Sequence, residues 1–495
     1  MVTMTAALRR AEQTAADDTA VICGTDSFTY AELADRCRRL GGALRGLGLE
    51  AGDRVAVVGP NCHRYLELYL GIPAAGLALV PLNARHSAAE LRYAIEDAGA
   101  RVLVTGAGID DLPACVEHVV DFGDRYEALL AGAEPVPFAD GDENALAGLF
   151  YTGGTTGAGK GVMLTHRNLV ANATHFAGVW HFGPDTRWLL AAPMFHAAGT
   201  VAVLATVWAG GLHVTLPAFD PAAALDLMVE HRITETLLVP TMVAALNEEQ
   251  LARPRDVSSL RGLSHGGSPI ATETLRRAHQ ALPHVELLHL YGATETAPIV
   301  TALPHEELIL DEPRIRACGQ PVPGVEVRIE ADPGEVGEVL VRGPNVMVGY
   351  WNKPQETAAA LEDGWYRTGD LGYLDDRAYL FLVDRAKDMI VTGSENVYGI
   401  EVEEALYSHE AVLEAAVFGI PDPRWGEAVH AVVVPRVDIE PEALIEHCRA
   451  RIAGYKVPKV IELRTEPLPK SGAGKVLKRE LRAPYWQGVE RIGGA

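Results

Sequence analysis

Tyr151-Thr-Gly-Gly-Thr-Thr-Gly-Ala-Gly-Lys-Gly161 packs five glycines, three threonines and one lysine into eleven residues. Glycine lets successive backbone N–H groups turn into one concavity, threonine hydroxyls add donors, and Lys160 adds positive charge. The combination predicts an anion cradle sized for phosphate, spanning 151–161. A plain flexible turn would not need a lysine set inside it.

Gly154-x-x-x-x-Gly159-Lys160 also follows most of the Walker A pattern, with Tyr379-Leu-Phe-Leu-Val-Asp384 as a possible Walker B strand. Two details weigh against that reading. Position 161 is Gly, so the Mg²⁺-binding Ser/Thr is missing. The residues that follow, Val162-Met-Leu-Thr165, read as strand, with a helix only after Thr165, whereas Walker A opens a helix directly.

Outward from this loop the chain alternates apolar runs, Gly/Pro turns and helical stripes, the grammar of α/β layering. Thr29-x-x-Glu32 reads as a capping box opening a helix whose Leu33, Cys37, Leu40, Leu44 and Leu47 form one buried stripe. Arg54–Val58 and Glu235–Val239 read as parallel strands, and Ala222–Glu230 as a helix between strands. After Val325 the segments shorten and alternate (Val325–Ile329, Glu338–Arg342), predicting a small antiparallel β unit. The charged cluster Asp384-Arg385-Ala386-Lys387-Asp388 lies between apolar runs and marks a domain boundary, leaving room for one small α+β domain.

The chain has 495 residues, with 43 Lys+Arg against 66 Asp+Glu and a net charge of −23. At 48% hydrophobic and 22% charged it can build a large core, which excludes disordered and fibrous classes. The negative balance removes the field that would hold nucleic acid or anionic lipid. Cys23, Cys37, Cys62, Cys115, Cys318 and Cys448 are scattered without a CxxC pair, and the N-terminus lacks an apolar signal core, so a cytoplasmic location is expected. The uncharged stretch Pro193–Phe219 is broken by Gly199 and Gly210-Gly211, predicting buried helix, turn and strand and no membrane span. No His/Cys spacing suits zinc.

Five further stretches join the glycine loop in a fixed order: Gly266-Gly-Ser-Pro269, Tyr291-Gly-Ala-Thr-Glu-Thr296, Trp365-Tyr-Arg-Thr-Gly-Asp370, the 384–388 cluster, and Pro469-Lys-Ser-Gly-Ala-Gly-Lys475. This ordered set resembles the adenylate-forming (AMP-binding) superfamily, of the acyl/aryl-CoA synthetase type. The resemblance implies a large N-terminal α/β domain of layered subdomains plus a small β unit (1–384), a hinge at 385–387 about Lys387, and a small mobile α+β C-terminal domain (388–495).

It also implies roles. Thr152, Gly153, Gly154, Thr155, Thr156, Gly157 and Lys160 would hold triphosphate. Gly266, Gly267, Ser268, Tyr291 and Gly292 would form the adenine side. Thr294 would bond the α-phosphate, Asp370 the ribose hydroxyls, and Arg385 the ribose or phosphate. Glu295, a hard oxygen ligand, would take Mg²⁺. Lys475 would reach the reacting oxygens, where a preorganised cation stabilises developing charge. His196, Thr200, Gly266, Gly292 and Pro298 would line the acid's pocket; His196 could equally be a satisfied core histidine. With Lys475, the residues Glu295, Thr156 and His196 complete the candidate catalytic set.

The implied activity is ATP-dependent conversion of a carboxylic acid, aromatic or medium-chain, into an acyl-adenylate, followed by transfer to coenzyme A. A free amine as acceptor (an amide-bond synthetase) and a catalytically idle adenylate or carboxylate sensor are the alternatives. About 20 residues follow Lys475, too few for a carrier domain in cis at a length of roughly 50 residues or more per domain. Three departures stand out: Gly153 where Ser is common, Ala158-Gly159 before the lysine, and Gly399 where Pro is usual.

Overall fold

A computed structural model describes residues 2–106, 109, 112–139, 141–152, 159–306, 309–332, 334–385, 388–392, 395–422, 424–471 and 474–486, with backbone alone at 384, 385 and 395. Four sheets organise it.

A seven-stranded sheet holds Arg54–Val58 in its interior, in parallel register with the central strand Ala78–Leu82 and with Val102–Thr105. All four apolar residues after Arg54 are buried, as befits strands covered on both faces. On one flank the strands Leu146–Thr152 and Lys160–Thr165 form an antiparallel hairpin, pairing Thr152 with Lys160. A nine-stranded sheet contains Glu235–Leu238, Gly262–Gly266 and Glu286–Tyr291 as parallel neighbours, with Thr301–Pro304 antiparallel beside the last.

Local signals account for much of this. Thr29 accepts from Glu32 N and Glu32 accepts from Thr29 N, and the helix Tyr30–Gly46 follows, burying Leu33, Cys37, Leu40 and Leu44. Leu47 falls one position beyond the helix and is only partly buried. Thr165 and Asn168 make the same reciprocal cap on the helix His166–Val179. The glycine loop therefore runs into a strand, Lys160–Thr165, and the helix starts only after it. That order is incompatible with a Walker A loop, whose phosphate site is the helix N-terminus itself. Between Pro193 and Phe219 lie a short helix, Val203–Ala209, a left-handed Gly210 and the strand Leu212–Thr215. Among the described residues no helix is long and apolar enough to cross a membrane, and all six cysteines are free thiols.

The late antiparallel unit comprises Glu326–Glu330, Gly337–Arg342, Trp365–Leu374, Leu361–Glu362 and Leu380–Arg385. The fourth sheet begins at Ile390, includes the long hairpin Val412–Asp422 and Gly426–Pro435, and takes Val460–Leu463 in parallel. Its own apolar core gathers Ile390, Val402, Leu406, Val417, Val433, Leu444 and Ile461. Lys387 lies outside the described residues.

One buried acid gives the fold a pH signature. Glu235, at the start of its strand, accepts 2.8 Å from Trp180 Nε1, and Gly262 opposite leaves it room, since a Cβ there would lie 2.1 Å from Glu235 Oε2. Burial, only partly offset by Trp180 and Arg261, raises its pKa to about 7. The folded state thus binds a proton that the unfolded state releases near 4.5. This contribution to stability is full below that pH and is lost as pH rises through 7. Glu235→Gln keeps the acceptor and removes the titration. Its thermal midpoint relative to the parent is expected to rise between pH 5 and 8, by the equivalent of on the order of 2 kcal/mol. Differential scanning calorimetry at the two pH values checks it.

Candidate functional site

A cleft of about 2910 Å³ opens where the large unit meets the C-terminal sheet. Parallel strands end at its wall, as ligand sites in open α/β sheets do. Thr152, Lys160, His196, Gly266, Gly267, Ser268, Tyr291, Gly292, Thr294, Glu295, Pro298, Asp370 and Lys475 all line it. Gly153, Gly154, Thr155, Thr156 and Gly157 lie outside the described residues, as does the side chain of Arg385.

The hairpin register puts Thr152 beside Lys160 at the mouth of the glycine loop. Lys160 Nζ sits 4.9 Å from the centre of the Tyr350 ring, and the Tyr350 hydroxyl donates to Glu295 Oε1 at 3.0 Å. Cation, phenol and carboxylate thus form one chain lining the cleft. Burial, then the Glu295 charge, holds the Tyr350 phenol well above its usual pKa, so it remains a donor. The backbone N–H of Met347 donates 2.8 Å to the Glu295 carbonyl and anchors that loop.

In the same cleft Tyr291 donates to Asp370 Oδ2 at 2.7 Å, joining two motifs 79 residues apart in sequence. Asp370 sits in the strand Trp365–Leu374, its N–H bonded to Thr368 Oγ1 at 3.1 Å, and its backbone pairs with Arg385 on the neighbouring strand. Tyr366, from the same strand, lines the cleft and feels the charges of Glu295 and Asp370.

Gly266 and Gly292 are glycine because backbone touches them: an added Cβ would lie 2.2 Å from Leu290 O and 1.6 Å from Pro298 O, respectively. Gly292→Ala must therefore displace the Pro298 backbone, costing at least the about 1–3 kcal/mol typical of overpacking. A lower thermal midpoint and an at least tenfold slower first half-reaction are expected, checked by calorimetry and exchange kinetics.

The tail reaches this same cleft. A Cβ on Gly267 would lie 3.8 Å from Lys475 Cε, and Lys475 acts electrostatically on His196. Burial first, then that ammonium, pushes His196 down to about 3, so its imidazole is neutral. Thr241 Oγ1 donates to the Gly474 carbonyl at 3.4 Å. Two ion pairs flank the contact, Arg436 with Glu248 at 2.8 Å and Arg316 with Glu404 at 2.9 Å. The C-terminal sheet is therefore docked with its lysine inward.

Thr200 departs from its expected place. It is buried, its hydroxyl donates to Ala197 O at 3.3 Å, and it does not line the cleft. The short helix Ala197–Thr200 turns it inward and presents Ala198 and Val201 instead. Tyr350 and Tyr366 escaped sequence reasoning; Tyr366 lay inside a quoted motif, while Tyr350 follows Gly349 in a two-residue strand without a pattern of its own.

A second cluster also went unread. His265, His289 and His305 are buried together, one ligating nitrogen of each within 4.8 Å of the others. Spacing along the chain does not show this cluster, because the sheet register alone brings His265 and His289 together.

Residues 8–351 match the AMP-binding enzyme family and residues 401–475 the AMP-binding enzyme C-terminal domain. A feruloyl-CoA synthase of an Amycolatopsis species is 40% identical, over 94% of this chain and 96% of its own. ATP-bound MatB from Rhodopseudomonas palustris superposes with a TM-score of 0.89 at 33% identity, over 98% of this chain and 99% of its own. O-succinylbenzoate coenzyme A synthetase (MenE) from Bacillus subtilis, in complex with ATP and magnesium ion, does so at 0.86 and 31%, over 96% and 98%. With both units matched along the chain and the tail lysine inside a cleft that the ordered motifs line, the chain belongs to the AMP-binding enzyme family.

Proposed function

We propose that this enzyme, an AMP-forming carboxylate–CoA ligase, activates an aromatic or medium-chain acid, and that the residues gathered in the cleft carry both half-reactions. One observation carries the reading: Lys475, from the far end of the chain, enters the cleft lined by Lys160, Glu295, Tyr291 and Asp370.

In the first half-reaction a carboxylate oxygen attacks the α-phosphorus of ATP, and the bond to pyrophosphate breaks. Lys160, Thr152 and the glycine loop with Thr156 hold the triphosphate, Thr294 the α-phosphate and Asp370 the ribose. Lys475 faces the oxygens on which charge accumulates. Glu295 presents a hard carboxylate oxygen to the cleft, the ligand type Mg²⁺ takes; the bound ion would neutralise triphosphate charge. Neutral His196 borders the acid without competing with Lys475 for the anion.

In the second half-reaction the thiol sulfur of coenzyme A attacks the acyl carbon, loses its proton, and AMP leaves. The two steps need different charge patterns in one cleft, which supports withdrawal of Lys475 by rotation about 385–387, between units 1–384 and 388–495. The ion pairs Arg436–Glu248 and Arg316–Glu404 would then break.

Small or apolar residues wall the acid end (Ala198, Val201, Gly266, Gly292, Pro298, Ile299), and a similar chain is named for ferulate. Both favour a flat aromatic acid. Reliance on ATP and coenzyme A supports a cytoplasmic site of action. The test is a panel of aryl and alkyl acids with ATP, Mg²⁺ and either coenzyme A or amines, with products weighed by mass spectrometry. Acid-dependent thioester, AMP and pyrophosphate are expected. Amide without thioester would select the amide-bond synthetase, and adenylate binding with no turnover the sensor.

A further inference from the structure

His265 and His289 stand opposite each other on parallel neighbouring strands. His289 pairs across the next, antiparallel strand with Leu303; His305 is two residues on and so shares the face. His265 Nδ1 and His289 Nδ1 are 3.3 Å apart, and all three rings are at least nine-tenths buried. His265 Nε2 and both nitrogens of His305 have no hydrogen-bond partner among the described residues. Other buried histidines, His63 and His430 among them, share that lack of partners; what sets these three apart among the described residues is that one ligating nitrogen of each lies within 4.8 Å of the others.

The spacing has a definite chemical meaning. An ion bound tetrahedrally to imidazoles at about 2.0–2.1 Å sets nitrogens about 3.3 Å apart and ring centres about 5.2 Å apart. The observed ring centres are 4.9, 5.1 and 5.8 Å apart. Small side-chain rotations would bring the remaining nitrogens, now within 4.8 Å, onto one ion.

We propose that His265, His289 and His305 bind one divalent d-block cation of the zinc class. Imidazole suits such ions, whereas Mg²⁺ takes oxygen, so this site is separate in chemistry and place from Glu295. His289 and His305 border the cleft, which provides an entry path and room for a fourth ligand. The ion would tie together the strands that carry Gly266–Ser268 and Tyr291–Glu295, stiffening the adenine side. It takes no part in bond making.

Full-length protein is stripped with a chelator and titrated with Co²⁺ and, separately, Zn²⁺. Visible d–d bands of tetrahedral cobalt are expected, with about one zinc per chain retained after gel filtration and a zinc-dependent rise in thermal midpoint. His305→Gln and His289→Gln are expected to retain less than about a tenth of that metal, with unchanged circular dichroism. Should either variant misfold, the parent's cobalt spectrum decides alone: absence of tetrahedral bands overturns the proposal. Equal zinc in parent and variants overturns it as well. So does a change of acid preference in His289→Gln when neither protein binds metal, which would make the trio a wall of the acid pocket.

Discussion

Lys475→Ala is expected to slow acid-dependent exchange of pyrophosphate into ATP by about 10²–10³-fold, the effect of removing one preorganised donor from a developing anion. Transfer from preformed acyl-adenylate to coenzyme A should change less than about threefold. The asymmetry follows from position. Lys475 approaches Gly267 and acts on His196 inside the cleft, yet it belongs to the unit proposed to rotate away before the thiol enters. Lys475→Arg should recover little, because a planar fork does not replace a compact ammonium in a confined site. A merely solvated lysine would show no loss in either half-reaction. Exchange and single-turnover transfer assays distinguish the cases.

Glu295→Gln is expected to lower the adenylation rate by about 10²-fold, a loss of about 2.7 kcal/mol of charge stabilisation, and to move the Mg²⁺ dependence to higher concentration. The amide can still accept from the Tyr350 hydroxyl, now 3.0 Å from Oε1. The thermal midpoint should therefore hold within a degree or two. Tyr350→Phe is the contrast: it removes the donor and leaves the carboxylate, and should slow adenylation far less. If both variants lose equally, with no shift in the Mg²⁺ curve, Glu295 is only a partner for Tyr350. Initial rates across a Mg²⁺ series read the difference.

Local chemistry made much of the fold legible. The reciprocal caps at Thr29–Glu32 and Thr165–Asn168 start helices, and the latter, behind a strand, separates this loop from Walker A. The motifs that line the cleft stand out in the sequence because each concentrates glycine and hydroxyl residues, most with one or two charges among them. What stayed hidden depends on register between distant strands. His265 and His289 are 24 residues apart and meet only because their strands pair in step. Tyr350 joins Lys160 to Glu295 through a two-residue strand paired against the strand Lys160–Thr165. Thr200 was misplaced by one residue because the turn of a short helix decides which of Thr200 and Val201 faces the cleft.

One cleft, closed by the tail lysine, is proposed to hold both nucleotide and acid. A crystal structure of the protein with a non-hydrolysable acyl-adenylate analogue tests it most directly. The expected result has the ribose hydroxyls on Asp370, the analogue's phosphate-mimicking group between the glycine loop and Lys475 Nζ, and the acyl group passing His196 toward Val201. An analogue bound away from Asp370, or one seated there in the docked form with Lys475 Nζ turned out to solvent, would contradict it.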